Sequence, residues 1–143
     1  MDPQKIIAWL LRVAGAFLLL AWPTIFLPVS WQAAGHQALG LGGFPASPLV
    51  DYLTRSIAVL YGSRGLVYLL LAGDVPRYAP LIRLFAVLDI VAGVALLAIG
   101  FHAGLPSMWV LAEGPSLIAF GAVLLLLLKK VADAPQTGPA SPV

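Results

Sequence analysis

Four long apolar segments set the main constraint on this chain: residues 6–27, 49–72, 79–101 and 106–128. Each is long enough to cross a hydrocarbon core about 30 Å thick as an α-helix that rises about 1.5 Å per residue. Hydrophobic residues make up 61% of the chain and charged residues only 10%, and the mean hydropathy is +0.98. This composition excludes an ordinary soluble domain. The sequence therefore predicts an all-α integral membrane protein, a four-helix bundle in the lipid bilayer.

The residue types that are missing limit the chemistry of the chain. It contains no cysteine, which excludes disulfides, thiolate nucleophiles, iron–sulfur clusters and cysteine zinc sites. Its net charge of +2 is too small, and its basic residues are too scattered, to indicate nucleic-acid binding. The sequence contains no glycine-rich nucleotide-binding pattern, no Ser-His-Asp arrangement and no pair of histidines at haem spacing. We therefore predict no cofactor, no catalytic residue and no nucleic-acid partner.

Lysines and arginines indicate the orientation of the predicted spans. Those outside the second span lie at one side of the predicted bundle: Lys5, Arg12, Arg77, Arg83, Lys129 and Lys130. The other two connections, 28–48 and 102–105, contain neither residue type. By the positive-inside rule, both termini and the 73–78 turn are expected in the cytoplasm, with the spans forming two outward-pointing hairpins. The first span is too long for a signal peptide and no clear cleavage site follows it, so we interpret it as retained.

Residues 1–130 are predicted to form one transmembrane domain, and 131–143, rich in Pro, Ala and Gly, a disordered cytoplasmic tail. The outer connection, 28–48, is the largest segment predicted outside the bilayer. Four of its residues fall near helical spacing: Trp31, Ala34, Ala38 and Leu39. This pattern favours a short amphipathic helix on the outer surface. The alternative is a lid over a cavity between the helices.

A weak internal repeat relates the two predicted hairpins. Spans one and three share a Leu-apolar-Arg triplet that ends at Arg12 and Arg83. Spans two and four each begin with a proline, followed seven positions later by Arg55 and Glu113 respectively. We predict that these opposite charges lie at the same depth and form an ion pair. Pro115 lacks a backbone N–H, so the fourth helix is also predicted to kink beside this pair.

Asp89 is the acid closest to the middle of a predicted span, where an unpaired charge is costly. Arg64 lies at a similar depth in the second span, so we predict an ion pair between Arg64 and Asp89. In the alternative, Asp89 stays protonated and forms a hydrogen bond with Tyr61 or Tyr68.

The two arginines of the second span raise a geometric problem. Arg55 and Arg64 are nine residues apart, which is about 900° of helix and places them on opposite faces. Two neighbouring helices in a four-helix bundle can cover both faces within one chain. Otherwise one arginine meets another membrane protein or a second copy of this chain.

The histidines are weaker candidates. His102 ends the third span and is expected at the outer surface, on the same side as His36, Asp51 and Glu113. No spacing such as HxxxH links these residues, so no metal site is predicted.

Several features resemble one known family. An arginine before Tyr61-Gly62 in the second span, and residues 104–106 (Gly-Leu-Pro) followed by Glu113 in the fourth, are similar to the small four-helix membrane proteins of the DoxX-like superfamily. The resemblance covers about residues 6–130. It implies a bacterial inner-membrane protein, and a few proteins of this type are subunits of quinone-linked oxidoreductases or of other inner-membrane assemblies.

Two functional hypotheses follow. In the first, the protein is a non-enzymatic accessory or structural subunit whose Arg–acid pairs hold helices together or dock a partner. In the second, an outward-facing cavity binds a quinone, a lipid or a similar small apolar molecule with a polar head. The candidate polar cluster for either role comprises Arg55, Tyr61, Arg64, Asp89, His102 and Glu113. The balance of charges and the lack of a nucleophile favour the first hypothesis.

Overall fold

The described part of the chain is helical throughout its regular structure. The computed structural model describes residues 2–45 and 47–133, and within these ranges it is 84% helix without strands. The elements are α1 (Pro3–Leu19), a 3-10 helix (Trp22–Phe26), α2 (Val29–Ala38), α3 (Pro48–Leu71), α4 (Val75–His102) and α5 (Ser107–Ala132). The predicted all-α class is therefore confirmed. Most of the predicted tail, 134–143, lies outside the described residues.

Three stretches are long and apolar enough to cross a membrane: Pro3–Phe26, Val75–His102 and Ser107–Ala132. They correspond to the first, third and fourth predicted spans and are compatible with a membrane protein. The second predicted span corresponds to α3, which has 24 residues. α3 is not among the three apolar stretches, because Asp51, Arg55 and Arg64 lie within it.

Three helices begin at a polar side chain with a proline one or two positions after it. The side chains of Asp2, Ser47 and Asp74 each accept a hydrogen bond from a backbone N–H of the following turn, at 2.9, 3.2 and 3.1 Å. A proline occupies the first or second position of each helix. This proline loses no hydrogen bond, because the first N–H groups of a helix have no partner within it. These caps determine where α1, α3 and α4 begin.

The first predicted span is divided, because α1 ends at Leu19 and the chain continues as the 3-10 helix. Pro23 explains the break. It has no N–H to donate to the carbonyl of Leu19, and its ring would clash with that carbonyl in a continuous α-helix. The next element, α2, lies within 28–48, so the helix predicted there is confirmed. Its position on a membrane surface stays a prediction.

The long helices pack as two pairs, α1 with α3 and α4 with α5. In each pair, two glycines bring the backbones into contact. A Cβ at Gly15 would lie 2.8 Å from the carbonyl oxygen of Gly65, and a Cβ at Gly93 would lie 2.6 Å from that of Gly114. Any side chain at these positions would push the helices apart. Small residues serve this purpose in membrane helices, where close backbone packing takes the place of the hydrophobic effect.

The space between the two pairs is filled at one end and empty at the other. Ile7, Leu71, Ile82 and Leu124 are completely buried and belong to one apolar cluster. We call this region the filled end. Toward the opposite end, α3 and α5 scarcely contact each other, and a cavity separates the pairs.

Candidate functional site

A cavity of about 950 Å³ lies between the two helix pairs and is open to the surroundings. Its lining is mainly apolar: Ala14, Phe17, Leu18, Leu20, Ala21, Ala92, Ala95, Leu96, Trp109, Ala112, Leu117 and Phe120. Its polar lining is confined to Tyr61, Arg64, Tyr68, Asp89, Glu113 and Ser116. No residue of α2 is part of this lining, so the alternative of a lid formed by 28–48 finds no support in the described residues.

Arg64, Tyr68 and Asp89 form a hydrogen-bonded group at the floor of the cavity, which we name the floor cluster. Arg64 and Tyr68 are four residues apart and therefore share one face of α3. The Tyr68 hydroxyl donates to Asp89 Oδ2 at 2.6 Å, and Arg64 Nη2 donates to Asp89 Oδ1. Arg64 also donates through Nε to the Tyr68 hydroxyl oxygen at 3.2 Å. The predicted Arg64–Asp89 pair is confirmed, and Tyr68 binds the same carboxylate.

Aromatic rings enclose the floor cluster. The Tyr68 ring lies edge-on to Phe85 and tilted against Phe120, at centroid distances of 5.8 and 5.9 Å. The guanidinium carbon of Arg64 lies 5.4 Å from the centroid of Tyr68 and 5.8 Å from that of Phe85, within the range of cation–π attraction. Asp89 is completely buried, yet each of its oxygens has a donor. Arg64 thus neutralises the carboxylate where water is excluded.

Tyr61 and Glu113 connect α3 to α5 at the rim of the cavity. The Tyr61 hydroxyl donates to Glu113 Oε1 at 3.3 Å, the one side-chain hydrogen bond between α3 and α5 among the residues described. Close by, Ser116 Oγ donates to the backbone carbonyl of Glu113 at 2.8 Å. Pro115 lies inside a continuous α5, and a kink there stays a prediction.

Arg55 lies away from Glu113, so the predicted ion pair between them is wrong. Arg55 Nε donates to Asp51 Oδ1 at 2.9 Å, Nη1 to the carbonyl of Ile25, and Nη2 to the carbonyl of Leu27 at 3.4 Å. The prediction matched the two residues by their depth in the spans. It did not consider that Arg55 lies on one face of α3 while α5, which carries Glu113, contacts another. Glu113 approaches the face that carries Tyr61, whereas Arg55 points toward the end of the 3-10 helix.

Trp22 attaches the 3-10 helix to α3 at a second point. Its indole lies directly against Gly62, where a Cβ would overlap the ring. The indole Nε1 donates to the carbonyl of Val59 at 3.4 Å. Together with Arg55, this contact holds the segment after α1 against α3. Trp22 is not part of the predicted polar cluster, and its contact with Gly62 was not predicted.

Both arginines of α3 therefore have acidic partners within one chain. Arg64 binds Asp89 on one face, and Arg55 binds Asp51 and two backbone carbonyls on the other. This is the alternative in which groups within one chain cover both faces. The geometric argument for a second protein is thereby removed, while a membrane partner or homo-oligomer stays a prediction.

His102 is not part of the site. It lies exposed in the last turn of α4 and does not line the cavity. The other histidine, His36, has its Nδ1 3.2 Å from the carbonyl oxygen of Gly42. Across residues 2–45 and 47–133, no group of three His, Cys, Asp or Glu side chains is placed to hold a metal ion.

Two important cavity residues were absent from the predicted cluster. Tyr68 was named only as an alternative partner of Asp89, and Trp109 was not named as a candidate. Each lies four positions from a charged member of the site, Tyr68 after Arg64 and Trp109 before Glu113. This spacing places side chains on one helix face and is the signal that could have identified both.

Comparisons with protein-family models, with curated proteins and with solved structures find no match to this chain. The functional argument therefore starts from the cavity and the residues that line it.

Proposed function

We propose that this protein is an integral membrane protein whose cavity binds a small, mostly apolar molecule with a polar head, of the quinone or lipid kind. The observation that carries the proposal is the cavity of about 950 Å³ with the floor cluster at its base. Ligand sites in proteins are typically about 300–1,000 Å³, lined by apolar and aromatic side chains with a few convergent polar groups. The cavity has this composition.

Retention of an open cavity in this bundle also supports binding. Helices with so many small and aliphatic residues can close together, as they do at the filled end. At the cavity end, alanines contribute five of the lining residues, Ala14, Ala21, Ala92, Ala95 and Ala112. Larger side chains there would fill the space, so the alanines keep room for an occupant.

The membrane arrangement is part of the proposal. We propose that α1 with its 3-10 extension, α3, α4 and α5 all cross the bacterial inner membrane as a four-helix bundle, with both termini cytoplasmic. The support is the concentration of Lys and Arg near one side and the internal pairing of the α3 charges, which lowers their cost in lipid. Under this topology the cavity opens in the outer half of the bilayer. A distant relationship to the DoxX-like superfamily is proposed on the same layout.

Reporter fusions test this topology. A reporter after Lys130 and another within 74–77 should register as cytoplasmic, and one near Gly42 as external. A cytoplasmic signal near Gly42 would overturn the four-span topology.

An accessory subunit of an inner-membrane assembly is the second candidate. The observation that favours it is the floor cluster itself, since a paired arginine and aspartate fasten α3 to α4 without any ligand. This candidate predicts that the purified protein carries no small molecule and migrates with other proteins on native electrophoresis.

The experiment for cavity binding uses two alanines of α4. Ala95 lines the cavity, whereas Ala98 is exposed outside its lining and lies nine residues from Asp89, on the opposite face. The wild-type protein and the Ala95→Phe and Ala98→Phe variants are purified in native-like nanodiscs, and retained small molecules are identified by mass spectrometry. We expect the wild type and Ala98→Phe to retain the same molecule and Ala95→Phe to lose it. Equal retention by all three, or none by the wild type, contradicts the proposal.

A further inference from the structure

The charges that line the cavity do not balance. One basic and two acidic side chains line it, Arg64 against Asp89 and Glu113. Arg64 and Asp89 neutralise each other in the floor cluster. Glu113 takes part in no ion pair among the described residues, and its carboxylate accepts a hydrogen bond only from the neutral Tyr61 hydroxyl. With all three ionised, the cavity has a net charge of −1 that resides on Glu113.

Within residues 2–45 and 47–133, no other lysine or arginine is placed to balance Glu113. The chain has 8 Lys and Arg residues, all within the described ranges, and Arg64 is the one that lines the cavity. Arg55, the nearest alternative by depth, is held by Asp51 and by backbone carbonyls. A carboxylate without a cation is costly in an apolar surrounding. Glu113 is therefore the position in the cavity where a positively charged ligand would have the most favourable electrostatic interaction.

The surroundings of Glu113 suit an organic cation rather than a metal ion. Trp109 lies one turn before Glu113 on the same face of α5 and lines the cavity, and Tyr61 lies opposite on α3. Aromatic faces attract organic cations, with Trp the most effective. A metal ion needs several oxygen or nitrogen ligands, and the described residues offer no such group here.

We infer that the molecule bound in the cavity is a lipophilic organic cation, with its positive charge beside Glu113 and Trp109 and its apolar body against the apolar wall. This inference rests on the proposed function and names the class of ligand. The floor cluster then carries no net charge, because Asp89 cancels the charge of Arg64. Arg64 therefore repels a cationic ligand less strongly. A neutral ligand would leave the Glu113 charge uncompensated.

The test compares a cationic and a neutral aryl phosphorus compound, tetraphenylphosphonium with four phenyl groups and triphenylphosphine oxide with three. Binding of each is measured by equilibrium dialysis against protein in nanodiscs of zwitterionic lipid, with protein-free nanodiscs subtracted. We expect the wild type to bind the cation at least about tenfold more tightly than the neutral probe, the effect of one favourable charge interaction of about 1.4 kcal/mol. Glu113→Gln should remove this preference, since it keeps the Tyr61 hydrogen bond but not the charge.

Two further variants separate the possible outcomes. Glu113→Asp should retain the preference for the cation, and Asp133→Asn, which removes a negative charge outside the cavity lining, should leave it unchanged. Equal binding of both probes to the wild type, with both blocked by Ala95→Phe, overturns the cation inference and leaves the proposed function standing. If neither probe binds and no molecule is retained on purification, the proposed function fails as well.

Discussion

The filled end and the cavity end of this protein are built from the same two helix pairs, α1 with α3 and α4 with α5, but pack in opposite ways. At the filled end, Ile7, Leu71, Ile82 and Leu124 are completely buried between the helix pairs. At the cavity end, the same pairs enclose about 950 Å³ of open space. Within each pair the backbones remain in contact at glycines. Stability therefore resides within the pairs and at the filled end, which leaves the other end available for binding.

The floor cluster lies at the boundary between the two ends. Tyr68 belongs to both, since it packs in the apolar cluster and lines the cavity. Its hydrogen bond to Asp89, together with that of Arg64, joins α3 to α4 where few other contacts do. The boundary is thus polar because two helices that barely pack against each other need a directional connection.

The largest expected effect on stability comes from disrupting the floor cluster. Asp89→Ala removes the counterion of Arg64 and the acceptor of Tyr68, and leaves a charge in a poorly hydrated site. We expect a loss of about 3–5 kcal/mol in the free energy of unfolding, the usual cost of a broken buried pair. The measurement is reversible unfolding in mixed micelles followed by circular dichroism.

A double-mutant cycle provides the control. Arg64→Ala and Asp89→Ala together should cost less than the sum of the single losses, because the double variant strands no charge. Additive losses would show that the pair does not hold the boundary.

A matched pair of leucines on α5 tests the contrast between the ends directly. Leu124 is completely buried at the filled end, whereas Leu117 lines the cavity. Leu124→Ala should cost about 2 kcal/mol, the low end of the usual range, because at the proposed membrane location the deletion loses packing but no transfer from water. Leu117→Ala should cost less than about 1 kcal/mol, because the space beside it is already open. Equal losses, measured by the same unfolding assay, would mean that the cavity is closed in solution.

The next effect concerns contact within the pairs. Gly65→Ala places a Cβ 2.7 Å from the carbonyl oxygen of Gly15 and should cost about 1–2 kcal/mol through overpacking. Gly35→Ala on α2 is the control, since a Cβ there meets nothing within 4 Å. It should be neutral or stabilise by up to about 1 kcal/mol, because Ala is the better helix former. A tolerated Gly65→Ala would contradict the role of the glycine contact.

The smallest effect tests the corrected partners of Arg55. Arg55→Ala should cost about 1 kcal/mol, because it loses partly exposed hydrogen bonds to Asp51 and to two carbonyls. Its loss should add to that of Glu113→Ala, since the two residues share no partner. Thermal unfolding of the single and double variants measures this. A double variant markedly more stable than the sum predicts would restore the pairing that the structure contradicts.

The predictions from sequence succeeded where the answer depended only on the pattern within one helix or on two residues lying at the same depth. The all-α class followed from apolar segments of membrane length, and the Arg64–Asp89 pair followed from two opposite charges at similar depth in an apolar surrounding. The helix in 28–48 followed from local spacing. The break after Leu19 was missed although Pro23 signals it, because the whole segment is apolar and hydropathy alone does not register a missing N–H.

Depth alone did not determine every partner across helices. Arg55 and Glu113 fit each other by charge and by position after a proline, yet they lie on different faces of the packed helices. Rotation of a helix about its axis is set by close contacts such as Gly15 with Gly65 and Trp22 with Gly62. The hydrophobic periodicity of a helix does not predict that rotation when the helix is apolar on most of its sides.

The sequence by itself determined the helical class, the lengths of the apolar segments and the need of each buried charge for a partner, because these depend on composition and on the cost of charge in an apolar medium. Tertiary structure alone decided that the helices form two glycine-packed pairs, that the pairs separate at one end, and that Glu113 lines the resulting space with no lysine or arginine of the described residues paired to it. Those features depend on how helices rotate and tilt against one another, which is settled by side-chain contacts between segments distant in sequence.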